Sequence, residues 1–194
     1  MEAKVVYTSS AVNKVPHVLS MRGKSMVYGA CNAIVKCDFN ENVNAWQAKE
    51  AYVNHGDRVN CVKWINNDYI ISGSTDKSIV LWQRDLGTDK IVMNSRLIEH
   101  EGSVTCLDGM MNNKKKIIVS GSADSTMRVW IQKVEEDVWE CKHVYQCPKS
   151  GFIFDVKLIE GQDGLSWIFA SFDDCTIRLF NLDGEELVER HILK

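Results

Sequence analysis

Two stretches of this chain nearly superimpose: Ile71-Ser-Gly-Ser-Thr-Asp76-Lys-Ser-Ile-Val-Leu-Trp82 and Val119-Ser-Gly-Ser-Ala-Asp124-Ser-Thr-Met-Arg-Val-Trp130, offset by 48 residues. A third copy, Phe169-Ala-Ser-Phe-Asp-Asp174-Cys-Thr-Ile-Arg-Leu-Phe180, follows 50 residues later with Phe180 in the tryptophan place. A fainter one, Val27-Tyr-Gly-Ala-Cys31-Asn-Ala-Ile-Val-Lys-Cys37, keeps only the apolar spacing. Upstream of the two strong copies lie His55-Gly-Asp-Arg-Val59 and His100-Glu-Gly-Ser-Val104, and the last unit offers Lys149-Ser-Gly-Phe-Ile153 without the histidine. Self-similarity at a fixed period restricts a chain to arrays whose units stack on one another.

Each unit reads as four short strands. An alternating run follows the histidine, an apolar run ends in Ser-Gly, a turn forms at the aspartate, and a strand ends in the aromatic before a more polar edge strand. Four strands cannot bury both faces of so small a sheet, so such units pack radially around a channel as the blades of an all-β propeller. The expected blades are 16–53, 57–98, 101–147 and 150–191. Pro16 and Pro148 fall just before innermost strands, where a missing donor costs nothing.

The trio of His, Ser and Asp invites a hydrolase reading. Here it recurs in register, as His55, Ser72 and Asp76 with Trp82, and as His100, Ser120 and Asp124 with Trp130. A catalytic centre needs one activated nucleophile beside an oxyanion hole, whereas a hydrogen-bond chain repeated in every unit specifies packing. The expected chain runs from indole to serine, serine to histidine and histidine to aspartate. Cys141, His143 and Cys147 have ligand-like spacing but no clear fourth ligand, so no metal is expected. No phosphate loop or dinucleotide fingerprint occurs, and no cofactor, small-molecule substrate or catalytic residue is expected.

Charge narrows the partner class. A net charge of -3 gives no global attraction to nucleic acid or acidic membranes. The run Lys114, Lys115 and Lys116 reads as a solvated turn. Cysteines are seven, an odd number, and Cys61 and Cys106 sit within apolar strand patterns, which suits a reducing cytosolic or nuclear setting. No stretch is long and apolar enough to span a bilayer, and the opening residues lack a signal-peptide core. Trp64 and Trp167 are expected in the core, and Trp46 and Trp139 on outer strands.

With these residues in hand, the chain resembles the tryptophan-aspartate (WD40) repeat family over nearly its whole length. The order His-Gly-Asp-Arg-Val-Asn-Cys-Val-Lys-Trp64, then the copies ending at Trp130 and Phe180, with Tyr28-Gly-Ala-Cys31 in a degenerate first blade, resembles the amino-terminal propeller of the second subunit of the Elongator complex. That resemblance implies a non-catalytic scaffold for an assembly that modifies the wobble uridine of transfer RNA. The largest and the catalytic subunits would be its partners, and direct transfer-RNA contact is left open. A generic adaptor, such as a substrate-recruiting module of a ubiquitin ligase, is the alternative. The family ring would have seven blades, so four imply a partial ring more readily than a closed one. A strand near residues 3–9 would complete the last blade of that ring, and two apolar end faces would stand exposed. Family binding at the narrow face and channel rim points to Arg58, Ser103, Phe152 and Phe172, with Ser74 and Ser122 nearby. Phe152 and Phe172 are either interface anchors or fillers of the space left by the absent histidine.

Overall fold

The computed structural model describes residues 12–111, 116–133, 138–148, 151–162, 164–183 and 186–194. The segment 3–9, together with Lys114 and Lys115, lies outside them. The described residues form four four-stranded antiparallel sheets. The first holds β1 (Leu19–Arg22), β2 (Ser25–Ala30), β3 (Ala33–Asn40) and β4 (Ala45–Val53). The second holds β5 (Val59–Trp64), β6 (Tyr69–Ser74), β7 (Ile79–Arg84) and β8 (Ile91–Leu97). In the third are β9 (Val104–Met111), β10 (Lys116–Ser122), β11 (Thr126–Lys133) and β12 (Val138–Gln146), and in the fourth β13 (Ile153–Glu160), β14 (Ser166–Phe172), β15 (Ile177–Asp183) and β16 (Glu186–Leu193). Strands follow chain order within every sheet, so each blade is a meander.

The repeat in sequence becomes a repeat in local geometry. The residue after the aspartate is left-handed in three blades, Lys77 at φ 72°, Ser125 at 66° and Cys175 at 61°, and in the first blade Cys31, in the aspartate place itself, is left-handed at 51°. The aspartate carboxylate makes that turn affordable to a non-glycine residue by accepting the N–H two residues on, from Ser78 at 2.9 Å, Thr126 at 2.9 Å and Thr176 at 3.1 Å. The pairing of the third and fourth strands slips at one equivalent point in each blade, before Cys37, Trp82, Trp130 and Phe180. Such a bulge adds twist, which lets flat four-stranded sheets pack as inclined blades.

Consecutive blades stack through their inner strands, β1 against β5, β5 against β9 and β9 against β13, and among the described residues the ring stays unclosed. The stacking rests on a small residue meeting a branched one. A Cβ added to Gly29 would lie 2.9 Å from Val59 Cγ1, one on Gly73 2.5 Å from Val104 Cγ1, and one on Gly121 2.9 Å from Ile153 Cγ2. Between blades two and three lie Ile71, Leu81, Val104, Leu107, Ile118 and Trp130, and between blades three and four Val119, Met127, Val129, Ile153 and Phe180, all buried. Cys61 and Cys106 are buried within these layers, and none of the seven cysteines is in a disulfide.

Two expectations change. The end face of the first blade is not bare, because Met26, Tyr28 and Cys37 are buried and Val12 packs against them. Trp167 is half buried rather than core. Its counterpart Ile117 is covered by the fourth blade, whereas among the described residues no sheet covers the far side of the fourth blade, where Ile159 and Ile177 are exposed. Trp64 is core, Trp46 packs edge-on to Phe39 at 5.5 Å on the outer strands, and Trp139 lies half buried beside the cluster containing Trp130.

Candidate functional site

The most conspicuous polar residues converge, blade by blade, into internal chains. In the second blade Trp82 Nε1 lies 2.8 Å from Ser72 Oγ, that oxygen 2.8 Å from His55 Nε2, and His55 Nδ1 3.0 Å from Asp76 Oδ2. In the third, Trp130, Ser120, His100 and Asp124 repeat the spacings at 2.9, 2.8 and 2.8 Å. An indole N–H only donates, so the serine oxygen accepts it and sends its own hydrogen to Nε2. The imidazole proton therefore sits on Nδ1 and is donated to the carboxylate. The serines and histidines are buried.

Two further contacts complete each chain. The backbone N–H of Gly56 donates to Asp76 at 2.7 Å and that of Glu101 to Asp124 at 2.9 Å, tying the loop before the innermost strand to the turn. Ser78 and Thr126 hydroxyls donate to the same carboxylates at 2.7 and 2.6 Å. Burial works to raise both carboxyl pKa values, but these donors and the histidines prevail and hold Asp76 and Asp124 at about 2. Burial outweighs the carboxylates at the imidazoles, holding His55 and His100 below the ordinary histidine value.

These shifts give a pH dependence of defined sign. An imidazole depressed in the folded state takes up its proton more readily after unfolding, so stability declines as pH drops below about 6.5. Carboxylates depressed to about 2 add a second loss as pH falls from about 4 to 2, of roughly 2 kcal/mol each. Melting temperature measured against pH should fall in both windows. Asp76→Ala should cost about 1 to 3 kcal/mol at pH 7 by stranding buried partners and should shrink the acid step. An acid step of undiminished size in that variant would contradict the assignment.

The fourth blade solves the same problem differently. Without a histidine, Asp174 accepts from Arg178 Nη2 at 2.8 Å, and Arg178 Nη1 donates to Tyr145 Oη at 2.7 Å. The guanidinium lies 5.1 Å from the centroid of Phe172, whose ring meets Tyr145 edge-on at 5.9 Å. Phe172 is thus 3% exposed and belongs to the core, which corrects its placement at the rim. It ends β14 where the other blades have the buried Ser74 and Ser122, so it fills space rather than presenting a surface. An aspartate without its histidine, four residues before an arginine, was the available signal for this network.

Arg58, Ser103 and Phe152 do come together. They line a cavity of about 280 Å³ at the mouth of the channel with His17, Phe154 and Ile153. Phe152 is 51% and Phe154 60% exposed, and the Arg58 side chain bonds to Asn60 Oδ1 at 3.0 Å. His17 approaches Asp155 at 3.8 Å from the lead-in to the first blade. His17 escapes sequence reasoning because it lies ahead of the first repeat, and Phe154 because its repeated position, held by Asn60 and Thr105 in the preceding blades, changes chemistry from blade to blade. Cys141, His143 and Cys147 do not converge: Cys147 is in the core, and among the described residues no three His, Cys, Asp or Glu side chains gather as metal ligands.

Comparison with known proteins agrees with this architecture. The model of the WD domain, G-beta repeat family (WD40) matches residues 47–83 and 92–130. Elongator complex protein 2 of Drosophila melanogaster is 30% identical over 133 residues, 67% of this chain and 16% of that protein. Elongator complex protein 2 of Arabidopsis thaliana is 27% identical over 161 residues, 74% of this chain and 19% of the relative. A p21-activated protein kinase-interacting protein 1-like protein of Xenopus laevis is 27% identical over 105 residues, 54% of this chain and 26% of the relative. The chain thus spans under a third of the length of each of these relatives.

Proposed function

From a chain that carries WD40 repeats and folds into four propeller blades, we propose a non-catalytic scaffold that docks protein partners at the channel mouth and serves an Elongator-type assembly. The observation that carries the docking role is the pair of exposed phenylalanines, Phe152 and Phe154, set beside Arg58 around one cavity. Aromatic and arginine side chains supply most of the energy of protein interfaces because they bury large area at small entropic cost. Each buried His, Ser and Asp chain holds a blade together, which supports the non-catalytic reading.

The likeness to Elongator complex protein 2 supports the choice of assembly, with the largest and the catalytic subunits as partners. The mouth offers Arg58 and little other positive charge, which disfavours direct contact with transfer RNA there. Cysteines that are largely buried and in no disulfide suit the reducing cytoplasm and nucleus. A second reading, a signalling adaptor, is favoured by the likeness to the p21-activated protein kinase-interacting protein 1-like chain.

Replacing Phe152 and Phe154 together by serine should leave the melting temperature nearly unchanged, since both side chains are exposed. Recovery of Elongator subunits with the full-length protein should fall about tenfold or more. Unchanged recovery would remove the channel mouth from the interface, and recovery of a kinase instead would favour the adaptor.

A further inference from the structure

The cavity at the channel mouth joins one unpaired cation to an apolar wall. Val15, Pro16, Phe152, Ile153 and Phe154 supply the wall. The polar side chains of Asn60 and Thr105 beside them are engaged internally. Asn60 is buried and donates to the Val104 carbonyl at 3.0 Å and to Thr75 Oγ1 at 3.1 Å, and Thr105 donates to the Gly121 carbonyl at 3.2 Å. A space of about 280 Å³ falls below the roughly 300 to 1,000 Å³ of pockets that enclose a whole small ligand, so it suits one large side chain.

Arg58 differs from its polar neighbours. Its Nε donates to Asn60 Oδ1 at 3.0 Å, so an anchored amide holds the guanidinium at the rim. Among the described residues its Nη groups make no hydrogen bond and no ion pair. None of the residues lining the cavity is acidic. Asp155, which His17 approaches at 3.8 Å, stands outside the lining and pairs with Lys157 at 3.3 Å. A held guanidinium with open N–H donors matches the two oxygens of a carboxylate.

We propose that the mouth takes an acidic, apolar peptide: an extended segment of a protein partner that seats one large apolar side chain against Phe152 and Phe154 and sets a neighbouring Asp or Glu carboxylate on Arg58. The proposal rests on the docking role of the mouth and adds the chemistry of the docked segment. A nucleic acid needs several cations along its backbone, which one arginine does not supply.

The test is selection of a displayed library of random peptides on the full chain, followed by titration of one selected peptide. Enrichment of a Leu, Ile, Phe or Trp next to Asp or Glu is expected. Each variant is melted first, so a change in folding is read separately from a change in binding. Arg58→Glu, at an exposed position, should weaken the selected peptide about tenfold or more and turn the library preference from Asp and Glu to Lys and Arg. Arg58→Gln should lose the acidic preference without gaining a basic one, and Lys49→Ala, exposed on the outer strand β4, should change neither. Failure to enrich, enrichment without an acidic preference, or an acidic preference retained in Arg58→Glu overturns the proposal. The docking role fails separately, by recovery of Elongator subunits that is unchanged when Phe152 and Phe154 are serine. Recovery that depends on those phenylalanines, with a library preference for basic or uncharged peptides, overturns the acidic-peptide chemistry alone.

Discussion

Trp130→Ala should destabilise the chain by about 3 to 5 kcal/mol, the range for emptying a large aromatic from a packed core. That is a large share of the stability of an ordinary domain. Trp130 is almost wholly buried between blades two and three, beside Ile71, Leu81, Leu107 and Ile118. It also donates to Ser120 at 2.9 Å, so its removal opens a cavity and takes a donor from the polar chain at once. The two losses partly separate in Trp130→Phe, which keeps most of the ring volume and deletes the N–H with a small part of the indole. That variant should cost about 1 to 2 kcal/mol. Chemical denaturation of both variants therefore ranks packing above hydrogen bonding, and equal losses would reverse the ranking. Phe180, which stands in the same place with no N–H to give, already shows that a blade tolerates the second loss when Ala170 replaces the serine.

Gly73→Val should be comparably damaging for the opposite reason. A Cβ at Gly73 would meet Val104 Cγ1 at 2.5 Å and Cys61 Sγ at 2.8 Å, so a branched side chain must wedge the second and third blades apart. Overpacking of this kind costs about 3 kcal/mol and sometimes more. Gly56→Ala is the control, since the nearest atom to its added Cβ is 3.7 Å away, an ordinary contact. Val104→Ala should partly rescue Gly73→Val by clearing the collision, which a double-mutant cycle in urea would read as a coupling of about 1 kcal/mol or more. Additive losses would show that the two side chains do not bear on each other.

The sequence made the blades legible because hydrogen-bond chains require fixed residue types at fixed intervals. His55, Ser72, Asp76 and Trp82 meet in space through nothing more than a strand, a turn and a strand of constant length. Features set by neighbouring blades were harder to read. Phe172 looks like a rim aromatic when judged from its loop, yet Arg178 and Tyr145 draw it inward because the fourth blade lacks a histidine. Trp167 has the pattern of a core residue, but its burial depends on what covers the far side of the sheet. The rim fell between these cases: Arg58, Ser103 and Phe152 follow from blade geometry, Phe154 shares a repeated position with Asn60 and Thr105 but not their chemistry, and His17 precedes the repeats.

The scaffold reading is tested most directly by affinity capture of the full-length gene product from its own cells, with the bound proteins identified by mass spectrometry. The account predicts co-recovery of the largest and the catalytic Elongator subunits in near-stoichiometric amounts, with both lost when Phe152 and Phe154 are serine. Capture of the unaltered protein without any Elongator subunit would contradict it.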